Sequence, residues 1–284
     1  MKSKIILLFS IFLSFSSISS AQILHLKKRQ PNAIAGRAFA LSISDSTITL
    51  KQREEIIFKE IKKGNVPDFL RNLAEIRDTI SRSQDEIYFI SYYVLPDYFA
   101  IGSNEDFFYM PMTPILAQKV ADLTGCLLPT KHLVGEIYKH AKIKLNPQPI
   151  LPSKAMTTVP VFIAHTDSVL NQVKPFLANH NIGALTAGNK KDIIISNKIY
   201  GQTTERVVIY GWHKLDGKAI QPVYNKHLNT WADYSHGIRL IQNKIYINGK
   251  KITLKKALRD TKLNPLFSDE GVIKKAYYPI FNSY

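Results

Sequence analysis

Apolar positions divide the chain into helix-like and strand-like stretches. Over Thr49 to Lys63, Ile56, Ile57, Glu60 and Ile61 share one helical face. Thr49 and Gln52 have the spacing of a capping box, and Gly64 supplies the stop. Val66-Pro67-Asp68-Phe69-Leu70 opens a short second helix. Thr113-Pro114 predicts a capped helix running to Thr124 before Gly125. Thr130 predicts another, with Leu133, Val134, Ile137, Tyr138 and Ala141 at helical spacing. Further helices are expected over Val161 to Leu177, shortened by Pro175, and over Thr253 to Arg259.

Glu86 to Met112 has a different texture. Aromatic and β-branched residues, from Ile87 to Val94, then Tyr98, Phe99 and Ile101, then Phe107 to Tyr109, are punctuated by Pro96-Asp97 and Gly102-Ser103-Asn104. Two or three antiparallel strands are expected, with their aromatics in the core. Ile193 to Ile195 and Arg206 to Trp212 read as short strands. Ile238 to Ile241 and Lys244 to Ile247 read as a hairpin around Gln242-Asn243, and Gln22 to Ser46 reads as irregular. The order helix, strands, helices, strands favours an α+β fold with antiparallel sheet over regular βαβ alternation. It is read as one domain over 22–284, with a proline-containing stretch at 146–158 where two lobes could divide.

The first 21 residues change the setting. Lys2 and Lys4 precede an apolar run from Ile5 to Ile18, and Ser19-Ser20-Ala21 ends it with small residues. This is the order of a signal peptide over 1–21, and a run of about 14 residues falls short of the roughly 20 needed to span a bilayer. The expected location is extracytoplasmic, periplasmic or secreted, with no membrane anchor after cleavage. About 263 residues remain, enough to bury a core without covalent staples. The single Cys126 cannot form an internal disulfide, and its apolar setting predicts an inert buried thiol.

The net charge of +16 points to an anionic partner, a polymer or cell-envelope component. The lysine pairs are dispersed and no nucleic-acid motif accompanies them, so nucleic acid is not expected. Gly188-Asn189-Lys190-Lys191-Asp192 could hold an anion, although a solvated turn is the plainer reading. His165 and Asp167 fit helix capping.

Candidate chemistry concentrates between Trp212 and Arg239. Three of the eight histidines, His213, His227 and His236, and both tryptophans, Trp212 and Trp231, fall there with Asp233, Tyr234 and Ser235. If Trp231 to Arg239 is extended, Asp233 and Ser235 face one side, Tyr234 and His236 the other. His236 could then meet His213 across neighbouring strands. Gly237 would allow backbone amides close to a ligand, and Arg239 offers a fork for a carboxylate or phosphate. Three readings follow: acid–base catalysis with Asp233 orienting a histidine; an irregular zinc site from His213, His227, Asp233 and His236; or histidines bonded within the fold while Asp233 caps a turn. Acid–base work stands ahead of metal, and no cofactor is required.

Val208 to His213 and Asp233-Tyr234-Ser235-His236-Gly237-Ile238-Arg239 resemble segments of a family of exported bacterial proteins to which no activity is assigned. Asn65 to Leu70, Leu128-Pro129-Thr130 and Leu266 to Gly271 are similar to other segments of that family. The resemblance implies one long unit and brings no catalytic assignment. Two wall-active families fit poorly: no cysteine follows Cys126, as an L,D-transpeptidase needs, and the His-x-His pair of zinc D,D-peptidases is absent. The expected function is a hydrolase of an envelope or extracellular polymer. His213 and His236 form its acid–base pair, Asp233 orients them and Arg239 clamps an anion. His227 and Ser235 are further catalytic candidates, with Trp212, Trp231, Tyr234 and Lys190 binding substrate. The alternative is a non-catalytic binding protein for an anionic glycan or envelope component.

Overall fold

A computed structural model describes residues 22–280, so the signal peptide expected over 1–21 lies outside the described residues. Three helices come first: α1 (Gly36–Ser42), α2 (Leu50–Lys63) and α3 (Asp68–Arg71). The Thr49–Gln52 capping box of α2 forms in both directions, and Gly64 ends the helix in the left-handed conformation. α1 lies in the stretch expected to be irregular. It has no side-chain cap and buries only Gly36, Phe39 and Ala40, so it carries no local signal.

β1 (Ala74–Ser83) and β2 (Glu86–Val94) form a long antiparallel hairpin, followed by the pair β3 (Ala100–Gly102) and β4 (Phe107–Tyr109). β1 was not legible in the sequence because its charged and small polar residues give no apolar period. Its pairing with β2, from Ala74 opposite Val94 to Ser81 opposite Ile87, fixes it as a strand. α4 (Pro114–Thr124) and α5 (Lys131–His140) begin at Thr113 and Thr130, whose hydroxyls accept from the amides three residues on. The short β5 (Cys126–Leu127) lies between them, and β6 (Ile143–Lys144) leads to α6 (Val159–Val173).

The second half is mostly sheet: β7 (Thr186–Ala187), β8 (Lys191–Ile193), β9 (Ile209–His213), β10 (Ala219–Tyr224), β11 (His236–Gly237), β12 (Ile241–Gln242), β13 (Lys244–Ile247) and β14 (Lys250–Thr253), then α7 (Leu254–Arg259). One sheet runs β14-β13-β2-β12-β5, with β1 also on β2. A second runs β10-β9-β8-β11, and β6 pairs with β7. Pairings in the two larger sheets are antiparallel except β11 on β8. The hairpin expected around Gln242-Asn243 is displaced. β13 pairs with β14 around Asn248-Gly249, both at positive φ, the conformation a tight two-residue turn demands. β12 instead lies between β2 and β5.

Helices and antiparallel sheets pack as a single α+β unit, as the element order implied. One apolar cluster joins α4, α5, both large sheets and Leu254, Ala257 and Leu258 of α7. Strand β8 runs through this unit between β9 and β11, and the candidate chemistry gathers around it.

Candidate functional site

The segment expected as a solvated turn, Gly188 to Asp192, enters the core. Asn189, Lys190 and Asp192 are buried and Lys191 is half-buried. The cause is next door: Ile193, Ile194 and Ile195 are all buried and draw the preceding polar residues inside with them. Buried polar groups then need partners. Lys190 Nζ donates to the Tyr234 carbonyl at 2.7 Å and lies 2.9 Å from His165 Nδ1. Burial lowers the lysine to about 7, against the pull of Asp233 and Asp97. His165 is not a cap: it sits within α6, and burial aided by Lys190 drives it down to about 2. The neutral ring therefore accepts from Lys190 at Nδ1. Its Nε2 has no partner among the described residues. Asp167 pairs with Arg37.

On the other side of Lys190 lies a set of buried acids. Asp192 accepts from the Tyr98 hydroxyl at 2.8 Å, and burial pushes it up to about 7 against Arg239 and that bond. Asp97 accepts from the Tyr109 hydroxyl at 2.6 Å and the Tyr98 amide at 2.7 Å. Arg239 was expected as an anion clamp and is instead structural. It is 1% exposed, its two terminal nitrogens donate to the carbonyls of Leu95 and Thr186 at 2.9 and 2.7 Å, and its guanidinium lies 4.2 Å from the Tyr98 ring centroid. Gly237 likewise serves packing. A Cβ there would meet Tyr98 Cδ1 at 2.5 Å and Lys190 Cβ at 2.6 Å, so the space reserved for a ligand backbone is already filled.

Trp231 to Arg239 is not one extended strand. Asp233 Oδ1 accepts from the amide and hydroxyl of Ser235 at 2.8 and 2.5 Å, and the His236 amide donates to the Asp233 carbonyl at 3.0 Å. A turn results, with Asp233 capping it. It presents His236 opposite Lys191 in the parallel β11–β8 ladder. Asp233 Oδ2 lies 3.9 Å from His236 Nε2 and 3.3 Å from the Trp231 indole nitrogen that donates to it.

The acid–base pair expected from His213 and His236 does not form. Strand β8 separates the strands that carry them. His213 stacks on Tyr138, with ring centroids 4.5 Å apart, and meets Tyr210 edge-on. His227 is half-buried and stacks on Trp231 at 4.8 Å beside Tyr224. Neither histidine joins Asp233 and His236 as a ligand set. Among the described residues no three His, Cys, Asp or Glu side chains converge to hold a metal ion. Ser235 is fully buried and its hydroxyl is spent on Asp233, so it has no base of its own. Tyr234 is held at Ile150, whose amide donates to its hydroxyl at 2.7 Å. Trp212 is buried at φ 58°, an uncommon backbone conformation for a bulky residue, and Lys191 Nζ lies 4.8 Å over its ring. Cys126 is buried, and burial raises its thiol to about 11, as an inert thiol requires.

Electrostatics converge on Asp233. Burial pushes its carboxyl up, but His236, Lys191 and the two Ser235 hydrogen bonds outweigh that and hold it well below the usual carboxylate range. His236 is lowered to about 4, chiefly by burial and against Asp233. Near neutral pH the imidazole is therefore uncharged, and the ionised carboxylate rests on Lys191 and Ser235. Neither His236 ring nitrogen has a hydrogen-bond partner among the described residues. Both polar atoms of the Asn189 amide and the Trp212 indole nitrogen are also without one. Unpaired buried polar atoms also occur away from this turn, at Tyr92, His132 and Asn264 among others, so it is their combination with the Asp233 electrostatics that distinguishes this neighbourhood. The sequence marks Gly188 to Asp192 as a possible anion-holding segment and His165 as a cap, but it does not place Asn189, Lys191 or His165 beside Asp233 and His236. The one signal was a polar run abutting Ile193-Ile194-Ile195. No protein-family model, no curated protein and no solved structure matches this chain.

Proposed function

We propose that the protein is an extracytoplasmic hydrolase of an envelope or extracellular polymer, with His236 as the acid–base residue and Asp233 as the nearby charge that favours its protonated form. The observation that carries this reading is an imidazole without a hydrogen bond at either ring nitrogen, lowered to about 4 and lying 3.9 Å from a carboxylate held well below the usual range. A neutral imidazole can take a proton at one nitrogen and carry one on the other, and a carboxylate beside it stabilises the charged form that results. His236 is 1% exposed, so substrate must reach it past half-buried side chains. His213 and Arg239 take no part.

The test is turnover of purified peptidoglycan and of acidic polysaccharides, followed by release of amines or reducing ends. His236→Gln keeps the side chain polar and of similar size. It should cut turnover by about 10²- to 10⁴-fold while circular dichroism stays unchanged. Full activity in a folded His236→Gln protein would refute the assignment.

A non-catalytic binding role is the second reading, favoured by the near-complete burial of His236. Under it, His236→Gln leaves polymer binding intact and no polymer is cleaved by the wild-type protein.

A further inference from the structure

Strand β1 stands at the edge of its sheet. Among the described residues β2 is its one strand partner from Ala74 to Ser83. The register shows which backbone groups look outward. Thr79 lies opposite Phe89, whose amide and carbonyl both bond to Asn248 on the far side of β2. Thr79 therefore turns its own amide and carbonyl away from β2, and Arg77 and Ser81 do the same by alternation. Leu73 has the same phase and shows the direction, since its amide donates outward to the Gln22 carbonyl. That contact and the Ile23–Asn72 bridge cover the edge only at its start. Further on, the Thr79 amide donates to the Asp78 carboxylate at 2.7 Å rather than to a strand. Exposed edges are commonly blunted with lysine or proline. β1 has neither along its ten residues, in a chain that carries 38 lysines and arginines.

We propose that β1 pairs with the β1 of a second copy of this chain, antiparallel about a two-fold axis at Ile80, and joins the two sheets into one. Two-fold symmetry sets one residue against its own copy, and residues equally distant on either side against each other. Few registers survive that condition. An axis at Glu75, Arg77 or Asp78 opposes like charges. An axis at Ile76 brings Thr79 and Ile80 of the second copy against Leu73 and Asn72, where Gln22 and Ile23 already lie. An axis at Thr79 or Ser81 gives no ion pair within the strand. An axis at Ile80 sets Asp78 opposite Arg82 twice, Thr79 opposite Ser81 and Arg77 opposite Ser83, with no like charges opposed. The bulge between Ser81 and Ser83 leaves Arg82 on the face it needs. Its guanidinium lies over the Tyr88 ring, and Tyr88 is opposite Ile80 in the hairpin. One Arg82 nitrogen donates to the Lys262 carbonyl, and a guanidinium has further donors for a carboxylate. Half-buried Ile80 meets its copy at a non-hydrogen-bonded position, where side chains come closest. The Thr79 amide passes from Asp78 to the Ser81 carbonyl of the second copy, and the released Asp78 turns to Arg82. This surface belongs to a different sheet from β8 and β11, so the inference is independent of the hydrolase reading.

Sedimentation equilibrium of the purified protein should show a reversible monomer–dimer equilibrium with a Kd of about 1–100 μM. Amide hydrogen exchange at Thr79 and Ser81 should slow on dimerisation, because those are the groups the second copy covers. Arg82→Asp sets carboxylates against each other across the axis and should weaken the dimer by about 10-fold or more. Combining Asp78→Arg with Arg82→Asp reverses both ion pairs and should restore it, which separates lost charge complementarity from lost fold. Circular dichroism checks that each variant is folded. A protein that stays monomeric to well above about 100 μM overturns the inference. So does a dimer in which the Thr79 and Ser81 amides exchange as fast as in the monomer, since it would use another face. Unchanged dimerisation in folded Arg82→Asp, or a folded double variant as weak as the single one, overturns it likewise.

Discussion

Arg239 shows how a single residue's role is set by what surrounds it. In the sequence it follows His236 and Gly237 and reads as part of a ligand clamp; in the fold its guanidinium is enclosed by two carbonyls and the Tyr98 ring. Asp97 and Asp192 feel its charge, and it opposes the rise that burial imposes on both. Arg239→Met therefore removes a buried cation and leaves two carbonyls and two acids without it. Breaking a buried charge arrangement from one side costs about 3–5 kcal/mol. Urea unfolding should show a loss of that size, and a change below about 1 kcal/mol would mean that the guanidinium is dispensable. His236 makes the opposite point: neither of its ring nitrogens has a hydrogen-bond partner among the described residues, where both terminal nitrogens of Arg239 have one.

At the scale of elements, the capped helices were the most legible parts. Thr49, Thr113 and Thr130 each begin a helix where the sequence placed one, because a cap acts within three residues and needs no distant partner. Two of these caps separate a local from a tertiary contribution. Thr49 is exposed to solvent and bonds within its own turn, so Thr49→Ala should cost about 1 kcal/mol. Thr113 is fully buried, and its hydroxyl and amide also donate to the Glu54 carboxylate of α2 at 2.7 and 2.6 Å. Thr113→Ala removes a cap and a charge-assisted hydrogen bond together, and should cost about 2–4 kcal/mol. Denaturation midpoints of the two variants compare them directly, and equal losses would contradict the buried contact. Strands were less legible. β1 exists through its pairing with β2, and the terminal hairpin turns at Asn248-Gly249 rather than Gln242-Asn243, because register depends on which strand lies alongside.

The whole molecule responds to pH through groups its core holds uncharged. His213 is lowered to about 4 by burial against Tyr138 and Tyr210. A histidine in the unfolded chain titrates near 6.5, so between about 6.5 and 4 the unfolded state binds the extra proton. The ring's contribution to stability is complete above about 6.5 and is lost as pH falls towards about 4. Phenylalanine keeps the stack on Tyr138 and cannot take up a proton. The melting temperature of His213→Phe should keep a constant offset from wild type above pH 7. It should gain on wild type progressively from pH 6.5 to 4, and an offset flat across that range would remove the burial argument. The +16 charge belongs to this scale too, since a net charge acts over the whole surface without choosing a site.

Local chemistry in the sequence determined the capped helices, the aromatic strands, the α+β class and the crowding of histidines and tryptophans between 212 and 236. Those features depend on neighbours a few residues apart. Tertiary structure alone decided that β8 would part His213 from His236, that Lys190 would be enclosed while Lys191 stayed half-open, and that Arg239 would serve the core. Which polar side chain finds a partner is settled by strands far away along the chain, and the energy of burying a charge or leaving it unpaired is fixed only when they meet.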